Sequence, residues 1–246
     1  MKIGIIGAGM IGTTLAQRLG EAGHDVGIAN SRGPSTISAA ALSGGARAVE
    51  ARDAPVLADV LIVTVPISRI PDLAPLVRAA PANAIIIDTG NYYPLRDGRI
   101  AELDDGQVES LWVQEHFGRP VVKAWNAITS QSFSEHATAA GTPDRIAIPV
   151  AGDDPAGKRL AMTLVEETGL DAFDAGSLAD SWRQQPGTPA YCTERTAEEL
   201  PSSLAAADAA RSPRRRDLAI AAVTERAEVE GSVSADYLVR LNRAIY

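Results

Sequence analysis

The chain has 246 residues, a formal net charge of −8 and a pI near 5.0, and 46% of its residues are hydrophobic. An acidic chain has no general electrostatic attraction to nucleic acid or to anionic membranes, so neither is an expected partner. The single cysteine excludes an intrachain disulfide, and no apolar run reaches the roughly 18 residues of a transmembrane helix. We therefore expect a soluble cytoplasmic protein with one substantial hydrophobic core.

The N-terminus predicts a strand, a glycine-rich turn and a helix. A run of β-branched residues from Lys2 fits a buried parallel strand, and Leu15 and Leu19 recur at helical spacing. The motif G-x-G-x-x-G between them allows a tight turn, a close approach to a pyrophosphate, and close packing of the helix. The sequence therefore predicts a dinucleotide site, and the alternative is a tight turn that binds nothing. The predicted cofactor contacts are Gly7, Gly9, Met10, Ile11 and Gly12.

The end of the second predicted strand, residues 24–29, distinguishes NADP from NAD. NAD-binding folds place a carboxylate there to bind the ribose hydroxyls, whereas this chain has Asn30, Ser31 and Arg32. A guanidinium and a hydroxyl can bind a 2′-phosphate that a carboxylate would repel. The sequence therefore predicts NADP as the cofactor, and the alternative is a solvated polar turn.

Predicted strands and helices alternate along the rest of the chain, which argues for a parallel sheet with helices on both faces. The clearest strand is the buried run 60–65, which Pro66 closes. We therefore predict an α/β fold of the Rossmann type, with a doubly wound parallel sheet. The other predicted elements are helix 35–42, strand 47–49, helix 52–58, strands 84–88, 121–124 and 146–151, helix 158–167 and strand 171–174.

The character of the sequence changes near residue 178, where an irregular stretch leads into helical patterns. We predict an NADP-binding domain over residues 1–178 and a mainly helical C-terminal segment over residues 179–246, which would close the substrate cleft or form a dimer. In that segment, the basic run 211–216 is predicted to be the solvated start of a helix rather than a polyanion site.

The loops that leave the carboxyl ends of the strands are the expected ligand contacts in such a sheet. After the strand 60–65, Thr64, Val65 and Pro66 are predicted to contact the cofactor, unless Pro66 only ends the strand. In a later loop, Asp153 and Asp154 are predicted to bind loop amides or to cap the next helix. No metal site is predicted, because the three histidines lie far apart without HExxH or CxxC spacing.

Several stretches, in order, resemble the coenzyme F420-dependent NADP oxidoreductases. They are GIIGAGMIG at 4–12, ANSRGP at 29–34, VTVP at 63–66, KAWNAI at 123–128, VAGDD at 150–154 and DAGSL at 174–178. The resemblance implies a homodimeric reductase that exchanges hydride between NADP(H) and a second bound acceptor, with F420 as a possible partner. It also implies that Ser31 and Arg32 contact the 2′-phosphate, and that the loop 126–130, with Asn126, Ala127 and Ile128, forms the wall near the nicotinamide.

No catalytic residue can be assigned from the sequence. Hydride transfer to F420 or a flavin needs no strong side-chain acid, whereas a carbonyl or imine needs a proton donor within hydrogen-bond reach. The alternatives are therefore a carbonyl or imine reductase that does not use F420, and a non-catalytic NADP-sensing protein. The available donors near the expected site are Tyr92, Tyr93, His116, Lys123, Tyr191 and Cys192, and none has the spacing of a catalytic dyad.

Overall fold

The structure is a computed structural model that describes residues 1–246. It contains eight strands and eleven α-helices. The strands are β1 (Lys2–Ile6), β2 (Asp25–Ala29), β3 (Arg47–Ala48), β4 (Val60–Val63), β5 (Ile85–Asp88), β6 (Val121–Lys123), β7 (Ala147–Val150) and β8 (Asp171–Asp174). The helices are α1 (Met10–Glu21), α2 (Ala39–Leu42), α3 (Ile70–Arg78), α4 (Pro94–Asp97), α5 (Ala101–Asp104), α6 (Glu109–Phe117), α7 (Ser130–Glu135), α8 (Pro155–Glu167), α9 (Leu200–Ala205), α10 (Ser212–Glu230) and α11 (Ala235–Ile245).

Six parallel strands form the main sheet in the order β3-β2-β1-β4-β5-β6. The strand order reverses between β1 and β4, and such a switch point opens a crevice at the carboxyl ends of the strands. This arrangement confirms the prediction of a Rossmann-type α/β fold.

Two hydrophobic cores lie on opposite faces of this sheet. Alternate residues of each strand enter different cores: Ile5 and Ile62 pack with α1 and α8, whereas Leu61 and Val63 pack with α3 and α6. Residues on both faces of these strands are therefore buried, which explains why β1 and β4 are continuous apolar runs.

The strands β7 and β8 form a separate parallel pair, so the prediction that they continue the main sheet was wrong. They meet β6 only at an antiparallel bridge between Lys123 and Ala151, whose two N–H···O distances are 2.8 and 3.0 Å. Pro149 lies two residues before Ala151, on the same side of β7, and has no N–H to extend the bridge into a ladder.

Two of the predicted helices differ from the structure. Residues 52–58 form successive turns rather than a helix, with Pro55 in the middle and Leu57 at a φ of 61°. The predicted helix 35–42 is divided into a 3₁₀ turn, Pro34–Thr36, and α2, which begins where the Ser38 side chain accepts a hydrogen bond from the amide of Ala41.

The C-terminal segment is mainly helical, as predicted, and contains a 3₁₀ helix, Leu178–Gln184, followed by α9, α10 and α11. Between the 3₁₀ helix and α9, residues 186–193 are buried. The helix α11 is tied to α7, since the Ala235 amide donates to Oε1 of Gln131 over 2.7 Å. None of the helices combines the length and apolar character that a membrane span requires.

Candidate functional site

A cleft of about 540 Å³ opens between the carboxyl ends of β1, β4, β5 and β6 and the helices α10 and α11. Slightly more than half of its lining residues are hydrophobic. It is lined by Gly9, Met10, Ile11, Thr64, Val65, Pro66, Thr89, Gly90, Asn91, Tyr93, Leu95, Arg96, Trp125, Asn126, Ile128, Thr129, Ser130, Tyr191, Cys192, Arg216, Ala219, Ile220, Val223, Leu238, Asn242 and Tyr246.

Close packing around the glycine turn positions α1 at one end of the cleft. A Cβ on Gly12 would lie 1.9 Å from the carbonyl oxygen of Gly7, and a Cβ on Gly7 would lie 2.3 Å from that of Thr64. The same Gly7 oxygen accepts a hydrogen bond from the Thr64 hydroxyl over 2.7 Å. Glycine is therefore required at both positions for the strand, turn and helix to meet.

Gly9 differs from the other two glycines because open space surrounds it. It is exposed, and a Cβ built on it would have no neighbour within 4 Å. It is also the N-cap of α1, which has no side-chain cap and no acidic residue in its first turn. The first amides of α1 are thus free to bind an anion with the positive end of the helix dipole behind them.

The loop after β2 presents two polar side chains to solvent. The Asn30 side chain organises this loop, accepting from the Arg32 amide over 2.8 Å and donating to the Thr36 hydroxyl over 2.9 Å. Ser31 and Arg32 are exposed, and their side chains make no hydrogen bond or ion pair within the chain. None of the three residues lines the 540 Å³ cleft.

The loop after β6 is held by a network of amide side chains. Asn126 is buried; its Nδ2 donates to the carbonyl oxygen of Gln184 over 2.8 Å, and its Oδ1 accepts from Nε2 of Gln184 over 2.8 Å. Asn91, after β5, donates to the carbonyl oxygen of Asn126 over 3.0 Å. Ile128 lines the cleft, whereas Ala127 packs behind it against Tyr191 and Cys192.

A cluster of phenol and thiol groups forms the far wall of the cleft. The hydroxyls of Tyr93 and Tyr191 are 2.5 Å apart, and Cys192 and Tyr246 lie beside them. Burial raises the pKa of both Tyr93 and Tyr191 well above the ordinary value, and it raises the pKa of the Cys192 thiol to about 12. These groups are therefore protonated near neutral pH and can donate hydrogen bonds.

The other three predicted donors lie outside the cleft. Lys123 is fully buried, with its Nζ 2.6 Å from Oδ2 of Asp88, and it supports the loop after β5 from below. The Tyr92 hydroxyl donates to Asp104 over 3.0 Å, and Nδ1 of His116 lies 2.8 Å from the carbonyl oxygen of Trp112. The structure thus brings together only Tyr93, Tyr191 and Cys192 from the predicted set.

The two aspartates predicted to bind loop amides or to cap a helix do both. Asp154 is the N-cap of α8 and accepts from the amides of Ala156 and Gly157. Asp153 accepts from the amide of Leu178 over 2.9 Å, which joins the loop after β7 to the C-terminal segment.

The basic run 211–216 begins a helix as predicted, but it is not uniformly solvated. Arg216 is only 9% exposed and lines the cleft one turn after the start of α10. Sequence reasoning missed it because five neighbouring polar residues suggested a solvated face. It also missed Asn242 and Gln184, which carry no motif.

A buried carboxyl group lies behind the loop after β5. Glu109, the first residue of α6, is 5% exposed and accepts from the amide of Tyr92 over 3.1 Å. Burial raises the pKa of this carboxyl from 4.5 to about 7, and the opposing effect of the Lys123 charge is smaller.

Comparison with known proteins identifies a matching family and a curated relative, each for part of the chain. The model of the family described as NADP oxidoreductase, coenzyme F420-dependent, matches residues 2–92. The Escherichia coli (strain K12) protein YjhV is 54% identical over 54 residues, which is 22% of this chain and 39% of YjhV. The chain thus matches less than half the length of that curated relative.

Solved structures extend the similarity to most of the chain. The hypothetical protein SMa0349 of Sinorhizobium meliloti is 31% identical, with a TM-score of 0.65 over 78% of this chain and 93% of that chain. A proposed F420-dependent NADP reductase from Arthrobacter sp. FB24 is 23% identical, with a TM-score of 0.57 over 74% and 87% of the two chains. The second similarity shows a shared fold.

We predict that Glu109→Gln flattens part of the pH dependence of stability. An acid whose pKa is raised in the folded state contributes stability that is present below the unfolded pKa of 4.5 and lost as pH rises through about 7. Glutamine keeps the acceptor for Tyr92 and removes the titration. From pH 4.5 to 7.5, wild type should lose on the order of 3 kcal/mol more than the variant in urea unfolding. Equal losses in wild type and in Glu109→Gln would contradict a raised pKa of Glu109. The control is Glu115→Gln, because Glu115 is exposed on the same helix.

Proposed function

We propose that this chain, whose residues 2–92 match the family of coenzyme F420-dependent NADP oxidoreductases, is an NAD(P)-dependent oxidoreductase that transfers hydride between NADP(H) and a second acceptor bound in the cleft. The observation that carries the proposal is the uncapped helix N-terminus at Gly9, combined with the unpaired Arg32 where NAD enzymes carry a carboxylate. The family model covers only residues 2–92 and does not identify the acceptor, which is therefore part of the proposal.

The residues around the glycine turn fit a dinucleotide. Gly9, Met10, Ile11 and the buried Gly12 would hold the pyrophosphate on the free amides at the start of α1. The open space at Gly9 is where a backbone must allow a phosphate to approach closely.

The loop after β2 fits the 2′-phosphate of NADP. Ser31 and Arg32 are exposed and unpaired, so binding would cost them no existing interaction. Asn30 would contribute indirectly, because its side chain already holds the amide of Arg32 and the hydroxyl of Thr36. A bidentate guanidinium–phosphate contact of this kind is among the stronger hydrogen bonds in proteins.

The cleft fits the nicotinamide half and an acceptor. The bound cofactor supplies the hydride, and the task of the protein is to bind, orient and exclude water. Thr64, Val65 and Pro66 form one wall, and Asn126 and Ile128 form another that the Gln184 network keeps rigid. Ala127 supports that second wall from behind.

A second candidate, a carbonyl or imine reductase that does not use F420, is favoured by the tyrosine pair. One hydroxyl of Tyr93 and Tyr191 must donate to the other across 2.5 Å, which leaves the proton of the acceptor tyrosine free to donate to a ligand. Such a donor is what a carbonyl oxygen or imine nitrogen needs and what a deazaflavin or flavin can do without. A non-catalytic NADP sensor is the third candidate.

The acceptor is tested by mixing the purified protein with NADPH and adding oxidised F420, a flavin or a panel of small carbonyls and imines. We expect loss of NADPH fluorescence with at least one acceptor. Oxidation by F420 supports the proposed reductase, and oxidation by carbonyls alone supports the second candidate. Tight binding of NADPH without oxidation by any acceptor would contradict both and leave the sensor.

Gly9→Ala tests the pyrophosphate site. The added methyl group contacts nothing in the protein, so the melting temperature without ligand should stay within about 1–2 °C of wild type, as expected for a change well under 1 kcal/mol. We expect affinity for NADPH and NADH to fall alike, by about tenfold or more, because both carry the pyrophosphate. Unchanged affinities in a fluorescence titration would place the dinucleotide elsewhere.

Arg32→Ala tests the preference for NADP. NADPH binding should weaken by about tenfold or more through loss of a charge-assisted contact, while NADH binding stays nearly unchanged. The matched control is Arg240→Ala, another exposed arginine, on α11. Equal losses for NADPH and NADH would show that Arg32 does not bind the 2′-phosphate.

A further inference from the structure

The charged residues that line the cleft are cationic, whereas the net charge of the chain is negative. The chain has a net charge of −8, yet no aspartate or glutamate lines the cleft, whereas Arg96 and Arg216 do. Cationic groups in a partly apolar site favour an anionic ligand. The overall acidity of the chain does not explain why the cleft carries cationic groups.

The two arginines differ in what already binds them. The guanidinium of Arg96 makes two contacts with the carboxylate of Asp97, at 2.9 and 3.2 Å, and donates to the carbonyl oxygen of Asn91 over 2.6 Å. Its charge is therefore neutralised within the chain. Arg216 donates only from Nε, to Oδ1 of Asp217 over 2.8 Å, and that aspartate is 62% exposed. An exposed partner neutralises little, because water screens it.

The carboxyl groups of Asp104 and Glu109 lie near enough to feel the charge of Arg216 but make no hydrogen bond to it. Its guanidinium lies 5.3 Å from the centre of the Tyr92 ring, which shields one side. Asp104 binds Arg99 and the Tyr92 hydroxyl, and Glu109 accepts from the Tyr92 amide; neither forms an ion pair with Arg216. Its two Nη groups thus have no partner in the chain although the residue is only 9% exposed. Neither Nη group is fully buried, so both can still donate to a bound anion.

We propose that Arg216 is a substrate-binding residue, and that the acceptor in the cleft carries a carboxylate or phosphate which the Nη groups bind. Ile220 and Val223, one and two turns further along α10, line the same cleft and would contact the apolar body of that acceptor. This inference rests on the proposed function, since it names the acceptor class of the same site. F420, which bears anionic groups, and small oxo acids share this chemistry.

Binding is measured by calorimetry on the full chain, with and without NADP⁺. The probes are F420, benzoylformate and benzoylformamide, an uncharged amide of nearly the same shape as benzoylformate. We expect wild type to bind at least one of the two anions, and Arg216→Gln to weaken that binding by about tenfold or more. Which of the two anions binds, F420 or benzoylformate, identifies the source of the anion. Benzoylformamide should bind weakly, and equally to wild type and to Arg216→Gln.

Arg214→Gln is the control, because Arg214 lies exposed on the same helix outside the cleft. Arg216→Lys keeps the charge and should recover most of the anion affinity, which a purely structural arginine would not predict. The inference is overturned if wild type binds neither anion, if Arg216→Gln binds the anion as wild type does, or if Arg216→Gln weakens NADPH by the same factor. Failure of wild type to bind NADPH would instead refute the proposed function, and the titrations without NADP⁺ would still test the anion site.

Discussion

The close approach of α1 to the ends of β1 and β4 is the constraint on which the site depends. The carbonyl oxygen of Gly7 lies where any Cβ on Gly12 would be, and it also accepts the hydroxyl of Thr64. These contacts bring the helix N-terminus to the switch point between β1 and β4, where the crevice of a doubly wound sheet opens. The same geometry leaves Gly9 without a neighbour, so the turn is tightly packed on one side and open on the other.

A second constraint joins the C-terminal segment to the sheet. The paired hydrogen bonds between Asn126 and Gln184 are buried, and a satisfied polar network of this kind specifies one arrangement of its members. Asn242, on α11, lies 3.3 Å from the carbonyl oxygen of Cys192 and so brings the last helix to the same wall. The cleft therefore exists only because residues beyond 178 close it. The division at 178 follows a change in sequence character, yet the site uses both sides.

The distribution of charge gives the cleft its chemical character. The acidic groups near the cleft form ion pairs: Asp88 with Lys123, and Asp97 with Arg96. Glu109 lies behind the loop after β5, with its pKa raised by burial. An acidic protein can thus present a cleft without carboxylates, in which Arg96 and Arg216 are the charged side chains and the phenols of the far wall are among the polar ones.

The sequence by itself determined the parallel sheet, the glycine turn and the missing carboxylate after β2, because each is a local pattern of spacing or residue type. It misjudged residues 52–58, where Pro55 interrupts a helical pattern, and the strand around Pro149, whose pairing depends on a distant edge. Only the tertiary structure decided that Tyr93 meets Tyr191, 98 residues away, and that Arg216 turns inward while Arg214 and Asp217 are exposed. Such contacts depend on how helices dock on the sheet, and no periodicity along the chain records that.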